Sequence, residues 1–116
     1  MQSKKQRIKQ RRRAQKLSNQ AWEAVDVGDH SLAVKLVRRA TKTHAGNPRL
    51  WNDLGLILLL VEQTPEAVDA FQCALSLASD FADPYVHLAT IAMQQGTPAE
   101  AVRLMRLAIE LSLIHI

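Results

Sequence analysis

Small and apolar residues recur along this chain at an interval of 34 residues, with no gap needed to hold the register. Ala21, Gly55 and Ala89 form one set, Ala33, Ala67 and Ala101 a second, and Ala40, Ala74 and Ala108 a third. Larger apolar residues keep the same phase: Leu17, Trp51 and Tyr85; Leu54 and Leu88; Val37, Phe71 and Met105. A fixed period of this length marks stacked copies of one supersecondary unit. Between Pro48 and Val61 the apolar residues crowd at helical spacing, and no stretch alternates at period two for long enough to make a strand. Two helices of roughly four turns joined by a tight turn fit one period. The pattern therefore predicts an all-α chain of three helix pairs, at 14–47, 48–81 and 82–115.

Local signals divide the copies. Thr64-Pro65 is read as an N-cap followed by proline at the first helical position. Thr97-Pro98-Ala99-Glu100 repeats that signal and adds a glutamate three residues after the threonine, the pattern of a capping box. Gly28 and Gly96 stand where a helical pattern must reverse, with Glu62 at the same place in the second copy. Gly46-Asn47-Pro48 breaks the chain between the first two copies. Alanine or glycine at nine facing positions allows the paired helices to approach closely.

The period, the small-residue triads and Trp51-Asn52-Asp53-Leu54-Gly55, followed by Ala67, Phe71 and Ala74, resemble the tetratricopeptide repeat family. The resemblance covers about residues 14 to 115. The first copy departs most: Leu17 lacks the ring of Trp51 and Tyr85, and Gln20 stands where Leu54 and Leu88 stand. Ala24, Leu58 and Ala92 occupy the place of the family's first-helix tyrosine or leucine. The resemblance implies an α-solenoid of antiparallel helix pairs, wound right-handed around a concave inner face that is presented to another molecule. In that family the groove is lined mainly by the first helix of each pair. Here the rule selects Ser18, Trp22 and Val25, then Asn52, Leu56, Leu59 and Leu60, then Val86, Thr90, Met93 and Gln94. Chaperone-binding members hold a peptide carboxylate with lysine, arginine and asparagine. The matching places are Ser18, Trp22, Asp53, Asp83 and His87, none reliably basic at neutral pH, so chaperone recruitment by that clamp is not expected.

The helix predicted across Leu50 to Val61 is apolar nearly all round. Trp51, Leu54, Ile57 and Leu58 would face the core, leaving Leu56, Leu59 and Leu60 over. Such a helix is normally covered on both sides. Neighbouring repeats, a further C-terminal segment, or a bound amphipathic helix or apolar peptide could each supply the cover, with Trp22 a natural anchor for a ligand.

Charge adds a second candidate site. Residues 1–16 hold Lys4, Lys5, Arg7, Lys9, Arg11, Arg12, Arg13 and Lys16 and no acid, whereas the remainder holds seven basic and eleven acidic residues. The net charge of +4 thus conceals a strongly basic N-terminal arm, placed at 1–13 ahead of the first copy with its last cation at Lys16, apart from a local group at Arg38, Arg39 and Lys42. Clustered cations repel one another and oppose the macrodipole at a helix N-terminus, so the arm is expected to be frayed when free and to order on an anionic surface. Nucleic acid, ribosome, acidic lipid and acidic protein all remain open as polyanionic partners. The arm has no aromatic residue on which to stack bases.

Other chemistry finds little support. A chain of 116 residues allows one domain. The single cysteine, Cys73, excludes an intrachain disulfide and is expected to be a small buried hydrophobe. No apolar segment follows the basic start, and the run Leu54 to Val61 is too short to span a bilayer, which predicts a cytoplasmic protein. His30, His44, His87 and His115 are scattered, so no metal site, cofactor or catalytic set is expected. Glu62 and Glu66 are expected at a solvated helix start. The chain stops on an apolar run, Leu111 to Ile116, where an array would carry a polar cap. Those six residues translate CTGTCTCTTATACACATC, which resembles a transposon end used in library preparation. They are expected to be an assembly scar on a protein that continues past about Glu110, and an uncapped end would favour self-association. Three readings follow: a protein-interaction scaffold, an adaptor anchored to an anion by its arm, or the recognition domain of a longer enzyme.

Overall fold

The computed structural model describes residues 1–114; His115 and Ile116, and with them part of the expected scar, lie outside the described residues. The described residues form six helices: α1 Lys4–Asp26, α2 His30–Thr43, α3 Pro48–Leu60, α4 Thr64–Leu77, α5 Ala82–Gln94 and α6 Pro98–Ile114. They pack as the pairs α1–α2, α3–α4 and α5–α6, and successive pairs join through α2–α3 and α4–α5. The first helices of the pairs also touch, α1 against α3 and α3 against α5. The architecture is the all-α solenoid of three antiparallel helix pairs that the period predicts. Among the described residues no helix is long and apolar enough to cross a membrane.

The small residues do what their phase requires. Ala33, Ala67, Ala40 and Ala74 are fully buried where the paired helices meet. The tight turns also repeat: Gly28, Glu62 and Gly96 have φ of 82°, 62° and 77°. Each lies in the same pair of bonds, illustrated by Gly28 N–H to the Val25 carbonyl and Asp29 N–H to the Ala24 carbonyl. The second turn uses Leu59 and Leu58 as acceptors, and the third Met93 and Ala92. Glu62 therefore holds a left-handed conformation that glycine adopts without penalty. The Trp51 indole donates to the Ala45 carbonyl at 2.8 Å, and the Tyr85 hydroxyl donates to the Ser79 carbonyl at 3.1 Å. Both bonds tie a first helix to its preceding loop at the same repeat position. Leu17 has no polar atom with which to make the third.

Four local expectations are corrected. The arm is not frayed: α1 starts at Lys4 behind a capping box formed by Ser3 and Gln6. Lysine, arginine and glutamine are good helix formers, and the packed part of the same helix, from Ala14 and Leu17 onward, supplies the nucleus. Thr64 lies inside α4, whose N-cap is Gln63 without a side-chain bond. The expected capping box at α6 does not form either. The Thr97 hydroxyl donates to the Ala92 carbonyl, and both Glu100 oxygens accept from the Arg103 guanidinium. Cys73 is half-buried rather than buried, because it lines a surface depression together with Trp51, Arg38 and Glu66. The Glu66 carboxylate accepts from Arg38, so this acid pairs with a cation of α2.

Candidate interaction groove

The 34-residue phase places the candidate residues on rungs across α1, α3 and α5. One rung is Ser18, Asn52 and Val86, the next Trp22, Leu56 and Thr90, the next Val25, Leu59 and Met93, and the rim carries Leu60 and Gln94. The rungs are not equally open. Trp22, Val25, Leu56 and Leu59 are half-buried and pack against the central core. Leu60, Val86 and Met93 are exposed, at 52%, 36% and 60%, and Thr90 and Gln94 are exposed beside them. Ser18 and Asn52 are buried and do not present themselves to a ligand. Ser18 lies where α1 touches α3, against Asp53, and Asn52 is on α3, which touches both α1 and α5. The Asn52 Oδ1 has no hydrogen-bond partner among the described residues.

The Ser18 hydroxyl donates to Asp53 Oδ2 at 2.9 Å, and Trp22 lies near the same carboxylate. Burial raises the Asp53 pKa above the ordinary carboxylate value, opposed by the Ser18 bond, by the neighbouring Trp22 and by the nearby charge of Arg49. Two of the five places where a carboxylate clamp would stand, Ser18 and Asp53, thus bond to each other, and Trp22 is beside them. Of the other two, Asp83 is exposed at the start of α5, and His87 stacks on Phe71 with ring centroids 5.2 Å apart. Burial lowers the His87 pKa, opposed by the charge of Asp83.

The groove opens at one end onto α6. Ala89, Thr90 and Met93 of α5 meet Ala101, Val102 and Met105 of α6 around an apolar cleft of about 240 Å³. Val102 and Met105 were not among the sequence-derived candidates. Their repeat counterparts, Val68 and Phe71, belong to the region that α5 covers, so the period itself could have identified them. Among the described residues no cluster of histidine, cysteine, aspartate or glutamate could hold a metal ion.

All eight cations of the arm are exposed along α1. Helical phase divides them. Lys5, Lys9, Arg12 and Lys16 form one stripe at steps of four, three and four residues, with Arg13 at its edge. Lys4, Arg7 and Arg11 form another, which continues through Ser18 to Trp22 at steps of three, four, seven and four. The ion pairs among the described residues, Arg38–Glu66 and Arg103–Glu100, involve none of them.

A family profile described as tetratricopeptide repeat matches residues 18–84. Among curated protein sequences none matches. Several solved structures share the fold. A crystal structure of MamA aligns with a TM-score of 0.81 at 18% identity, covering 88% of this chain and 60% of that one. The chain thus spans about three fifths of that MamA. The second tetratricopeptide unit of Spaghetti (RPAP3), bound to the HSP90 peptide SRMEEVD, aligns at 0.78 with 16% identity, covering 87% and 94%. The Yersinia enterocolitica type III secretion chaperone SycD, in complex with a peptide of the translocator YopD, aligns at 0.76 with 22% identity, covering 84% and 74%.

Proposed function

The chain belongs to the tetratricopeptide repeat family, and from that premise we propose that it is a protein-interaction scaffold whose α1–α3–α5 face takes a peptide or helix. The observation that carries this reading is the ladder of solvent-reaching apolar residues on that face: Trp22 and Val25, Leu56, Leu59 and Leu60, Val86 and Met93. Apolar side chains at this spacing suit an amphipathic segment laid across them. Structural neighbours of this fold hold peptides, an HSP90 peptide in one and a translocator peptide in another. The recognition proposed here is binding without catalysis. It does not use a clamp on a terminal carboxylate, because Asp53 stands beside Ser18, where such a clamp would be, and its charge repels one.

The test is a selection of random peptides on the whole chain, followed by affinity measurements on the enriched sequences. Met93→Glu and Leu60→Glu change residues that are more than half exposed and should leave the melting curve in place. Each should weaken an enriched apolar peptide by about tenfold or more, since a carboxylate would be desolvated under the ligand. Leu59→Glu is less informative, because Leu59 packs against the core and its loss would also disturb the fold. Unchanged affinity in both exposed-site variants would move the binding site off this face.

A further inference from the structure

We infer that the occupant of the groove is an acidic amphipathic segment of a partner protein, its apolar side chains over Trp22, Leu56 and Met93 and its carboxylates against Lys4, Arg7 and Arg11. The inference rests on the scaffold reading above and names the chemistry of its ligand.

α1 is one helix of 23 residues, so the arm continues the groove wall as helix. Lys4, Arg7 and Arg11 share the helix face of Ser18 and Trp22. At 1.5 Å per residue, Arg11 stands about 16 Å and Lys4 about 27 Å along the axis from Trp22. A helical stretch of roughly 18 residues, or about eight residues of extended chain, covers α1 from Trp22 to Lys4, and the part of the partner over Leu56 and Met93 comes in addition to it. The three cations are exposed and have no acidic partner among the described residues. They crowd one another near a helix N-terminus, where carboxylates from outside relieve both the mutual repulsion and the unfavourable dipole interaction. Asp53 fixes the polarity of the ligand. A carboxylate seated beside Ser18 and Trp22 would meet that charge, so the ligand's acids belong farther along the arm and its apolar residues on the other side of Asp53. A nucleic acid fits the arrangement less well. Phosphates gain nothing from an apolar groove, the arm has no ring for base stacking, and the outward stripe of Lys5, Lys9, Arg12 and Lys16 would serve a polyanion as well as the inner one.

The experiment compares two triple variants of the whole chain with equal loss of charge, Lys4→Gln/Arg7→Gln/Arg11→Gln on the inner face and Lys5→Gln/Lys9→Gln/Arg12→Gln on the outer face. The probes are peptides enriched from a random library on the native chain and, separately, a double-stranded DNA and a single-stranded RNA oligonucleotide. Enriched peptides should carry a cluster of aspartate or glutamate at one end of an apolar stretch. The inner variant should weaken them about tenfold at low salt, the outer variant no more than two- to threefold, and the difference should shrink as salt rises. Equal losses in the two variants would reduce the effect to net charge and overturn the inference. Apolar peptides without acidic clustering would overturn it while leaving the scaffold reading in place. If no peptide is enriched, both fall. Oligonucleotide binding that depends on either stripe and is not displaced by the acidic peptides would assign the arm to nucleic acid instead.

Discussion

α4 and α6 carry corresponding apolar residues and bury them to different extents. On α4, Phe71 is wholly buried and Val68 and Leu75 are half-buried; on α6 their counterparts Met105, Val102 and Ile109 are 37%, 50% and 53% exposed. The difference lies in the neighbour. α5 lies against α4 and brings His87 onto the Phe71 ring and Ile91 into the core, whereas the same face of α6 borders the open cleft. In a repeat array, burial at a given position depends on the adjacent unit as much as on the residue itself.

A second contrast sits inside the pairs. Gly55 faces Phe71, and a Cβ built on it would lie 2.5 Å from the ring. The same position is Ala21 in a pair whose second helix carries Val37, and Ala89 in a pair whose second helix carries Met105. Glycine accompanies the largest side chain, and alanine the smaller or more flexible ones.

Truncating the two counterparts should give the largest difference between α4 and α6. Phe71→Ala should cost about 3–5 kcal/mol of unfolding free energy, while Met105→Ala on the exposed face should cost less than about 1 kcal/mol. Similar urea midpoints for the two would mean that α6 is covered as α4 is. Next in size, Gly55→Ala should cost about 1–3 kcal/mol in the native background by overpacking against Phe71. In a Phe71→Val background the same change should cost little or become stabilising, since the ring is gone and alanine favours helix over glycine by roughly 1 kcal/mol. An identical cost in both backgrounds would remove the ring from the explanation.

His87 gives a smaller, pH-dependent effect at the α4–α5 contact. Its folded pKa is lowered by burial, so its contribution to stability is intact above its unfolded value of 6.5 and is lost as pH falls below that value towards the folded one. Urea midpoints should therefore drop on acidification through this range, and the drop should be shallower in His87→Gln. Asp53 acts in the opposite sense at lower pH. Its raised pKa means that the native state gains relative stability as pH falls through its folded value towards 3.8. A pH dependence unaltered by His87→Gln would show that the ring contact does not restrain protonation. The smallest effect concerns the turns. Glu62→Gly should stabilise by about 0.5–1 kcal/mol, because Gly28 and Gly96 hold the same left-handed backbone without the clash a Cβ brings. No gain in thermal melting would indicate that the Glu62 side chain offsets the strain.

The sequence alone determined the repeat. Its period located all three pairs, the buried small residues at Ala33, Ala67, Ala40 and Ala74, and the turns at Gly28, Glu62 and Gly96, because each depends on contacts within one unit that recur every 34 residues. It also selected the face that bears Trp22, Leu56 and Met93. Which candidates on that face reach solvent depends instead on the packing of neighbouring helices. Ser18 and Asn52 sit on the same rung as the open Val86, yet both are buried, and Ser18 donates to the Asp53 carboxylate across α1 and α3. The helical arm belongs with these. Its own charges argue for fraying, but a helix anchored at Ala14 and Leu17 and capped by Ser3 carries order back through the cations. Local pattern reads residue type and spacing; exposure and helix extension follow from what packs alongside, and that lies one or more helices away in the chain.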